Sequence, residues 1–189
     1  MDVGPGEDLD LTLRLRQAGW RIRFAHDAWC LTEVPESLAS FVRQRLRWER
    51  DALRIRLRKH RRSLDPRDRG ITVTDLVHQL DYIVTNLLVT LVFPVYLGWL
   101  ALTYSGAAWI ILGSVTLGYV VLDLIAFFVA LVVADRPGTA LPYALVFGVF
   151  NAYFIRGVRL VAFAQEWIFR QSTRDNYVPA RVREQAPLY

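Results

Sequence analysis

The sequence predicts an α+β segment followed by a helical membrane region. The chain has 189 residues, of which 53% are hydrophobic, and yet its formal net charge is +5. The charges are concentrated in residues 1–70 and 156–189, whereas residues 76–155 are nearly charge-free. A soluble domain of this length is rarely so apolar. The two ends of the chain therefore indicate an aqueous environment, and the middle indicates a lipid one.

Residues 7–19 are predicted to form a short helix. Glu7 and Asp8 place carboxylates at its start, where the helix dipole favours negative charge, and Gly19 is a typical C-terminal stop. The alternating pattern from Trp20 to Thr32 predicts extended, strand-like structure. Because an isolated strand needs a sheet to join, we expect residues 1–35 to be the end of a larger α/β domain.

A long amphipathic helix is predicted over residues 36–60, beginning after Pro35. Twelve of the 23 basic residues of the chain fall within residues 43–69, and Lys59 is the single lysine. The periodicity fits a helix in the bilayer interface or a surface helix packed on a soluble core. A basic cluster of this kind could bind nucleic acid, anionic lipid headgroups or a phosphorylated ligand. Its apolar neighbours favour the membrane surface.

Three apolar stretches follow, at about 76–104, 107–134 and 141–163. The first two exceed the roughly 20 residues that cross a bilayer. The third has only about 15 apolar residues before Arg156 and Arg159, so it either spans with snorkelling arginines or is re-entrant or interfacial. The positive-inside rule places residues 1–70 in the cytoplasm and opposes a third full crossing. Two to three transmembrane helices are therefore predicted.

The run Gln44-Arg45-Leu46-Arg47-Trp48 carries the clearest chemical signal. Guanidinium groups suit a diphosphate, an indole ring can stack on a sugar, and an amide adds a neutral donor and acceptor. Taken alone, however, an arginine-rich helix with one tryptophan is more often an interfacial anchor. In the same way, Glu7 and Asp8 taken alone are ordinary acids at a helix start.

Together, the two motifs resemble those of a known family. Gly6-Glu7-Asp8-Leu9-Asp10-Leu11 resembles the ED motif, and Gln44–Trp48 resembles the Q-(Q/R)-x-R-W signature, of processive, membrane-bound family 2 glycosyltransferases of bacteria. This group includes cellulose, hyaluronan, chitin-oligosaccharide and poly-N-acetylglucosamine synthases. The resemblance covers essentially the whole chain and is strongest over residues 4–50. It implies a C-terminal remnant of a GT-A (α/β) catalytic domain (1–35), an amphipathic interface helix and loop (36–70), a transmembrane region (71–165) and a basic tail (166–189).

The resemblance also implies a role for each matched residue. Asp8 would be the general base that removes the proton from the acceptor hydroxyl, and Glu7 would support it. The positions that would bind the donor diphosphate and the acceptor are Gln44, Arg45, Arg47 and Trp48. The implied reaction is inverting transfer from a nucleotide sugar, expected to be a UDP-sugar, to a growing polysaccharide or oligosaccharide, or to a glycolipid, at the inner membrane. Coupling of transfer to translocation of the product is a further expectation.

The chain also departs from the family pattern. Gly6 stands where the family usually has Thr. The family's nucleotide- and metal-binding aspartate motifs precede the ED motif, so the Mg or Mn ion expected for the full enzyme would have its ligands outside this chain. We therefore expect a fragment, or one part of a split enzyme, that is inactive alone. His26, His60 and His78 are too scattered for a metal site, and the lone Cys30 excludes an intrachain disulfide.

Three other functions compete with this interpretation. One is a non-processive family 2 transferase that acts on a lipid acceptor. Another is a non-catalytic membrane anchor or assembly subunit. The third, a nucleic-acid binder, is disfavoured because the aromatic residues lie mostly in the apolar stretches and are not interleaved with the arginines.

Overall fold

The computed structural model describes residues 6–23, 25, 28, 30, 32–64, 72–133 and 141–174, and all regular structure in these ranges is helical. The α-helices are α1 (Glu7–Gln17), α2 (Leu38–Arg54), α3 (Val73–Asp81), α4 (Val89–Tyr104), α5 (Ala108–Val133), α6 (Leu141–Val149) and α7 (Arg156–Phe169). Three π-helical segments, Ile55–Lys59, Tyr82–Leu88 and Phe150–Ile155, extend α2, α3 and α6. Short 3₁₀ turns cover Arg61–Leu64, Ser105–Ala107 and Gln171–Arg174.

The predicted strand over residues 20–32 is not supported. Its described residues, 20–23, 25, 28, 30 and 32, have no regular structure, and the rest of that segment lies outside the described ranges. A strand is stable only when a neighbour completes its hydrogen bonds, and the described part of the chain contains no other strand to do so. The expected α+β remnant is therefore not supported: the described residues before α2 form one helix, α1, and no strand.

The chain divides into two compact units. The first comprises Met1–Leu88 and Val158–Tyr189, and the second comprises Val89–Gly157. The first unit therefore combines the amino-terminal motifs with the carboxy-terminal helix α7.

Local signals explain where α1 and α2 begin and end. At the end of α1, Gly19 has a left-handed φ of 82°, and the amides of Gly19 and Trp20 donate to the carbonyls of Arg16 and Leu15 at 2.9 Å. This pair of bonds is a Schellman motif. At the start of α2, the Ser37 hydroxyl accepts from the amide of Ser40, whose hydroxyl accepts from the amide of Ser37. The predicted helix over residues 36–60 is thus confirmed over 38–59.

Basic residues of α2 and of its π-helical extension bind other parts of the first unit. Arg58 donates to the carboxylate of Glu166 at 2.7 Å, and Arg50 donates to the side chain of Gln171 at 3.0 Å. Glu49, on the same helix, accepts from Arg159 of α7 at 2.9 Å. The interpretation of α2 as a helix packed on other protein segments therefore holds for this part of its surface.

In the second unit, α4, α5 and the π-helical segment after α6 meet at Tyr153. Its ring lies 5.9 Å from the ring of Phe93, and its hydroxyl forms a short hydrogen bond with Thr116. The carboxylate of Asp123 on α5 lies against Gly148 of α6, where an added Cβ would be only 3.0 Å from a carboxylate oxygen. A small residue at 148 therefore gives the Asp123 side chain its place beside α6.

Two helical stretches of the described chain, Val73–Val133 and Pro142–Phe169, are long and apolar enough to cross a membrane. The first contains the predicted span 76–104 and residues 107–133 of the predicted span 107–134, and Ser105 between them has a φ of 45°. Large apolar side chains such as Leu102, Trp109 and Leu122 are exposed on α4 and α5. Such a surface is unfavourable in water and suits a lipid environment.

Candidate functional site

The two sequence motifs line one cavity in the first unit. The cavity has a volume of about 450 Å³. Glu7 and Asp8 line it from α1, and Arg47 and Trp48 line it from α2. Asp8 is solvent-exposed, and one of its carboxylate oxygens accepts from the amide of Leu9 at 2.8 Å. The fold therefore brings together four of the six residues that the motifs predicted.

The floor of this cavity contains residues that the motifs did not predict. Asp51, Ala52 and Ile55 line it from α2 and its π-helical extension, and Asp51 and Ile55 are almost completely buried. Asp51 lies four positions after Arg47 and three after Trp48, so helical spacing places it on their face. That spacing is the signal by which the sequence could have identified it.

Gly6 allows α1 to approach α2 closely. A Cβ at this position would lie 2.6 Å from Cδ1 of Ile55 and 3.2 Å from Cβ of Asp51. Gly6 also has a left-handed φ of 83°, which side-chain-bearing residues rarely adopt. The structure thus gives a reason for glycine at the position where the resembling family usually has threonine.

Trp48 is held by a cation–aromatic stack. The guanidinium carbon of Arg45 lies 5.1 Å from the Trp48 ring centre and 5.2 Å from that of Phe41. Contacts of this kind contribute roughly 0.5–1 kcal/mol at exposed sites. Arg45 does not line the cavity that contains Asp8; its observed contacts are with Trp48 and Phe41, and its role in donor binding stays a prediction.

A second cavity, of about 660 Å³, lies on the other side of Arg47. Its basic and amide lining comprises Arg43, Gln44, Arg47, Arg50 and Gln165. The three arginines share one helix face because they are four and three residues apart. Glu33 also lines the cavity, so three guanidinium groups and one carboxylate leave a net positive lining that suits an anionic ligand. The predicted motif is therefore divided: Gln44 faces the second cavity, Trp48 faces the first, and Arg47 borders both.

Asp10 joins α1 to the end of the π-helical segment. Its side chain is largely buried; Oδ1 lies 2.7 Å from Nε2 of His60, and Oδ2 accepts from Nζ of Lys59 at 2.9 Å. Burial alone would raise the pKa of Asp10, but the hydrogen bonds from His60 and Lys59 and the charges of Lys59 and Arg14 outweigh it and lower the pKa below the ordinary value. Asp10 belongs to the ED-like run, but its partners could not be read from the motif.

Within the described residues, no group of three or more His, Cys, Asp or Glu side chains is arranged to hold a metal ion. His60 contacts Asp10, and His26 lies outside the described ranges. The expected Mg or Mn ion thus has no described ligand set, and its binding stays a prediction for the full enzyme.

Comparison with known proteins places the chain in a family. The model of the glycosyl transferase family group 2 matches residues 4–151, which include both motifs and most of the apolar region. The chain belongs to this family. Its members are glycosyltransferases.

Curated relatives are similar over a short segment. An N-acetylglucosaminyltransferase of Rhizobium sp. (strain N33) is 43% identical over 49 residues, which are 26% of this chain and 11% of the relative. One from Bradyrhizobium diazoefficiens is 45% identical over 49 residues, 26% of this chain and 10% of the relative. One from Neorhizobium galegae is 35% identical over 74 residues, 39% of this chain and 17% of the relative. The similar segment is therefore less than a fifth of each of these relatives. No solved structure matches the chain.

Proposed function

We propose that this chain supplies the acceptor side of an inverting glycosyltransferase site at the inner face of a membrane. The donor would be a UDP-sugar, and the acceptor a growing polysaccharide or oligosaccharide. The observation that carries the proposal is the single cavity lined by Glu7 and Asp8 on α1 and by Arg47 and Trp48 on α2. The relatives named N-acetylglucosaminyltransferase support UDP-N-acetylglucosamine as the first donor to test.

The chemistry follows from the residue types in this cavity. The acceptor sugar stacks on the exposed ring of Trp48, with its hydroxyl directed at Asp8. Asp8 takes the hydroxyl proton as the acceptor oxygen bonds to the anomeric carbon, and the bond from that carbon to the diphosphate oxygen breaks. One displacement of this kind inverts the anomeric configuration.

The second cavity supports a place for the departing diphosphate. Arg47 borders both cavities, so its guanidinium can stabilise negative charge that develops beside the first cavity and moves to the second. Arg43, Gln44 and Arg50 would bind the phosphates with charge-assisted hydrogen bonds. A divalent ion bound with the donor in the full enzyme would neutralise part of the same charge.

Retention of the product and membrane integration belong to the same proposal. Trp48 is 47% exposed, which gives a sugar polymer an open stacking surface that it need not leave between transfers. The exposed apolar surface of α4 and α5 supports insertion in the inner membrane, with residues 1–70 on the cytoplasmic side. Inactivity of the 189-residue chain alone is also part of the proposal, and turnover of a sugar nucleotide by the purified chain would contradict it.

The test is a pair of substitutions in the full-length enzyme that contains this chain. Asp8→Asn should lower kcat by roughly 10²- to 10⁴-fold and leave donor binding intact, because only proton removal is lost. Trp48→Ala should raise the acceptor KM by about tenfold, which corresponds to the loss of one stacking contact. Trp20→Ala is the matched control, since Trp20 is also exposed but lies outside both cavities.

Full turnover by Asp8→Asn would remove Asp8 from the role of base. Equal acceptor KM values for Trp48→Ala and Trp20→Ala would show that the cavity does not bind the acceptor. A lipid-linked monosaccharide as the sole product would favour the non-processive alternative. Unchanged product formation in both site variants would favour a non-catalytic anchor.

A further inference from the structure

We propose that Asp10, Lys59 and His60 form a clamp that positions the Glu7 and Asp8 carboxylates opposite Trp48. The functional part of this inference rests on the proposed transferase function, whereas the existence of the clamp does not. Asp10, Lys59 and His60 are positioning residues, because none of them lines the cavity that contains Asp8.

Helix α1 has little apolar packing of its own. Burial within α1 is confined to Asp10, and the apolar residues Leu11 and Leu15 are exposed by 58% and 37%. A helix held in this way depends on its polar contacts for its place. The helix also carries three acidic residues in its first turn, Glu7, Asp8 and Asp10. Of these, Asp10 points into the protein, and Glu7 and Asp8 face the cavity.

The clamp engages both oxygens of Asp10. Oδ1 lies 2.7 Å from His60 and Oδ2 lies 2.9 Å from Nζ of Lys59, whose side chain is only 8% exposed. Salt screens a pair this deeply buried much less than a surface pair. Removal of Asp10 leaves the buried ammonium of Lys59 without this carboxylate, and loss of a partner from a buried pair is strongly destabilising.

The π-helical segment links this clamp to the cavity. Ile55, at the start of the segment, lines the cavity, and Lys59 ends the segment. The amide of His60 donates to the carbonyl of Ile55 at 2.9 Å, which is the i to i+5 bond of a π-turn. The cavity floor and the clamp thus belong to one turn of backbone.

The turn that carries Glu7 and Asp8 is therefore fixed at both ends. Gly6 packs against Ile55 and Asp51 on one side, and Asp10 binds Lys59 and His60 on the other. A shift of about 1 Å in a reacting group can cost roughly 10²-fold in rate. Release of the Asp10 end would allow such a shift without removing any group that touches substrate.

Arg14 provides a matched control for Lys59. Its Nε lies 3.0 Å from the same oxygen of Asp10, but Arg14 is on the same helix and its side chain is 44% exposed. Loss of Arg14 therefore removes one cation from Asp10 and leaves the link between α1 and the π-helical segment in place.

The first experiment measures the clamp without catalysis. Spin labels at exposed Leu11 on α1 and Leu38 on α2 report the distance between the helices, in a background of the full-length protein in which every native cysteine, Cys30 included, is replaced by serine. Lys59→Met and Asp10→Asn should broaden the distance distribution, Arg14→Met should not, and Lys59→Arg should restore the narrow distribution. Asp10→Asn keeps the shape of the side chain, so it still tests the clamp if Lys59→Met fails to fold. An unchanged distribution in Lys59→Met and Asp10→Asn would refute the clamp.

The second experiment measures transfer of sugar by the same variants of the full-length enzyme. Lys59→Met and Asp10→Asn should lower kcat by roughly 10- to 100-fold, with donor and acceptor KM within about twofold of wild type. Broadened distances with unchanged kcat would overturn the positioning role. Absence of transfer by the unmodified enzyme would overturn the proposed function and with it the positioning role, while the distance measurement would still show whether the clamp exists.

Discussion

Replacement of Gly6 by alanine tests the close approach of α1 to α2 directly. The substitution adds one methyl group at a position where its carbon would lie 2.6 Å from Cδ1 of Ile55 and 3.2 Å from Cβ of Asp51. Both distances are below ordinary van der Waals contact. The nearest clashing atom is the terminal methyl of Ile55, a residue that is only 1% exposed and lines the cavity, and the next is the less mobile Cβ of Asp51.

Two costs add at this position. The left-handed backbone, with φ of 83°, costs a side-chain-bearing residue about 1–2 kcal/mol. Overpacking of a buried contact costs about a further 1–3 kcal/mol. Gly6→Ala should therefore destabilise the first unit by roughly 2–5 kcal/mol.

Gly19→Ala measures the cost of the left-handed backbone without the cost of steric overlap. Gly19 has nearly the same φ, 82°, but an added Cβ there would meet nothing within 4 Å. Gly19→Ala should therefore cost only the backbone share, about 1–2 kcal/mol. Ile55→Val removes the clashing Cδ1 and should cost about 0.5–1.5 kcal/mol alone. In the double variant with Gly6→Ala, the total should be smaller than the sum of the two single changes.

The assay is denaturant unfolding of the detergent-solubilised protein, followed by tryptophan fluorescence. The steric cost is the difference between the Gly6→Ala and Gly19→Ala unfolding free energies. Equal costs for the two alanine substitutions, together with strict additivity of Gly6→Ala and Ile55→Val, would refute the close approach of α1 to α2.

Two further predictions concern charge. The pKa of Asp10 in the folded protein lies below its ordinary value of 3.8, so its ion pair stabilises the fold fully above that pH, and this stabilisation is lost as the pH falls through the folded pKa. The unfolding free energies of wild type and Asp10→Asn should thus differ at neutral pH, and the difference should shrink as the pH falls below 3.8. A difference that stays constant with pH would contradict this. The 2.7 Å bond between Arg58 and Glu166 cannot form across a bilayer about 30 Å thick, so the proposed membrane insertion requires an even number of crossings between these two residues. Single cysteines at Leu38 and Arg170 should then react with an impermeant reagent from the same side, and opposite accessibility would contradict the pairing.

Local features of the fold were predictable from the sequence. The end of α1 follows from Gly19, and the start of α2 follows from the Pro35–Ser37 segment, because caps depend on a few adjacent residues. The placement of Asp8 and Trp48 in one cavity could be predicted only from the motif resemblance. The strand predicted over residues 20–32 is not supported in its described residues, because alternation describes a surface and cannot supply the neighbouring strand that a sheet requires.

The clamp could not be predicted, because its partners are distant in sequence. Nothing in the sequence near His60 indicates that its ring meets Asp10, 50 positions earlier. The π-turn at Ile55–Lys59 also has no sequence signature in this chain, and it is this turn that directs Lys59 and His60 toward α1.

The basic cluster shows why a count of charges misjudges the partner of a helix. Twelve cations in residues 43–69 predicted attraction to anionic lipid, at about 1 kcal/mol for each residue near the surface. In the structure, Arg50, Arg58 and Lys59 bind Gln171, Glu166 and Asp10 within the first unit. Each of these cations contacts a partly or fully buried protein group in place of solvent or lipid. The electrostatic attraction of α2 and its π-helical extension to a membrane must therefore be weaker than the count of cations predicts. The contacts of Arg50, Arg58 and Lys59 instead hold α1 and α7 in place beside the candidate site.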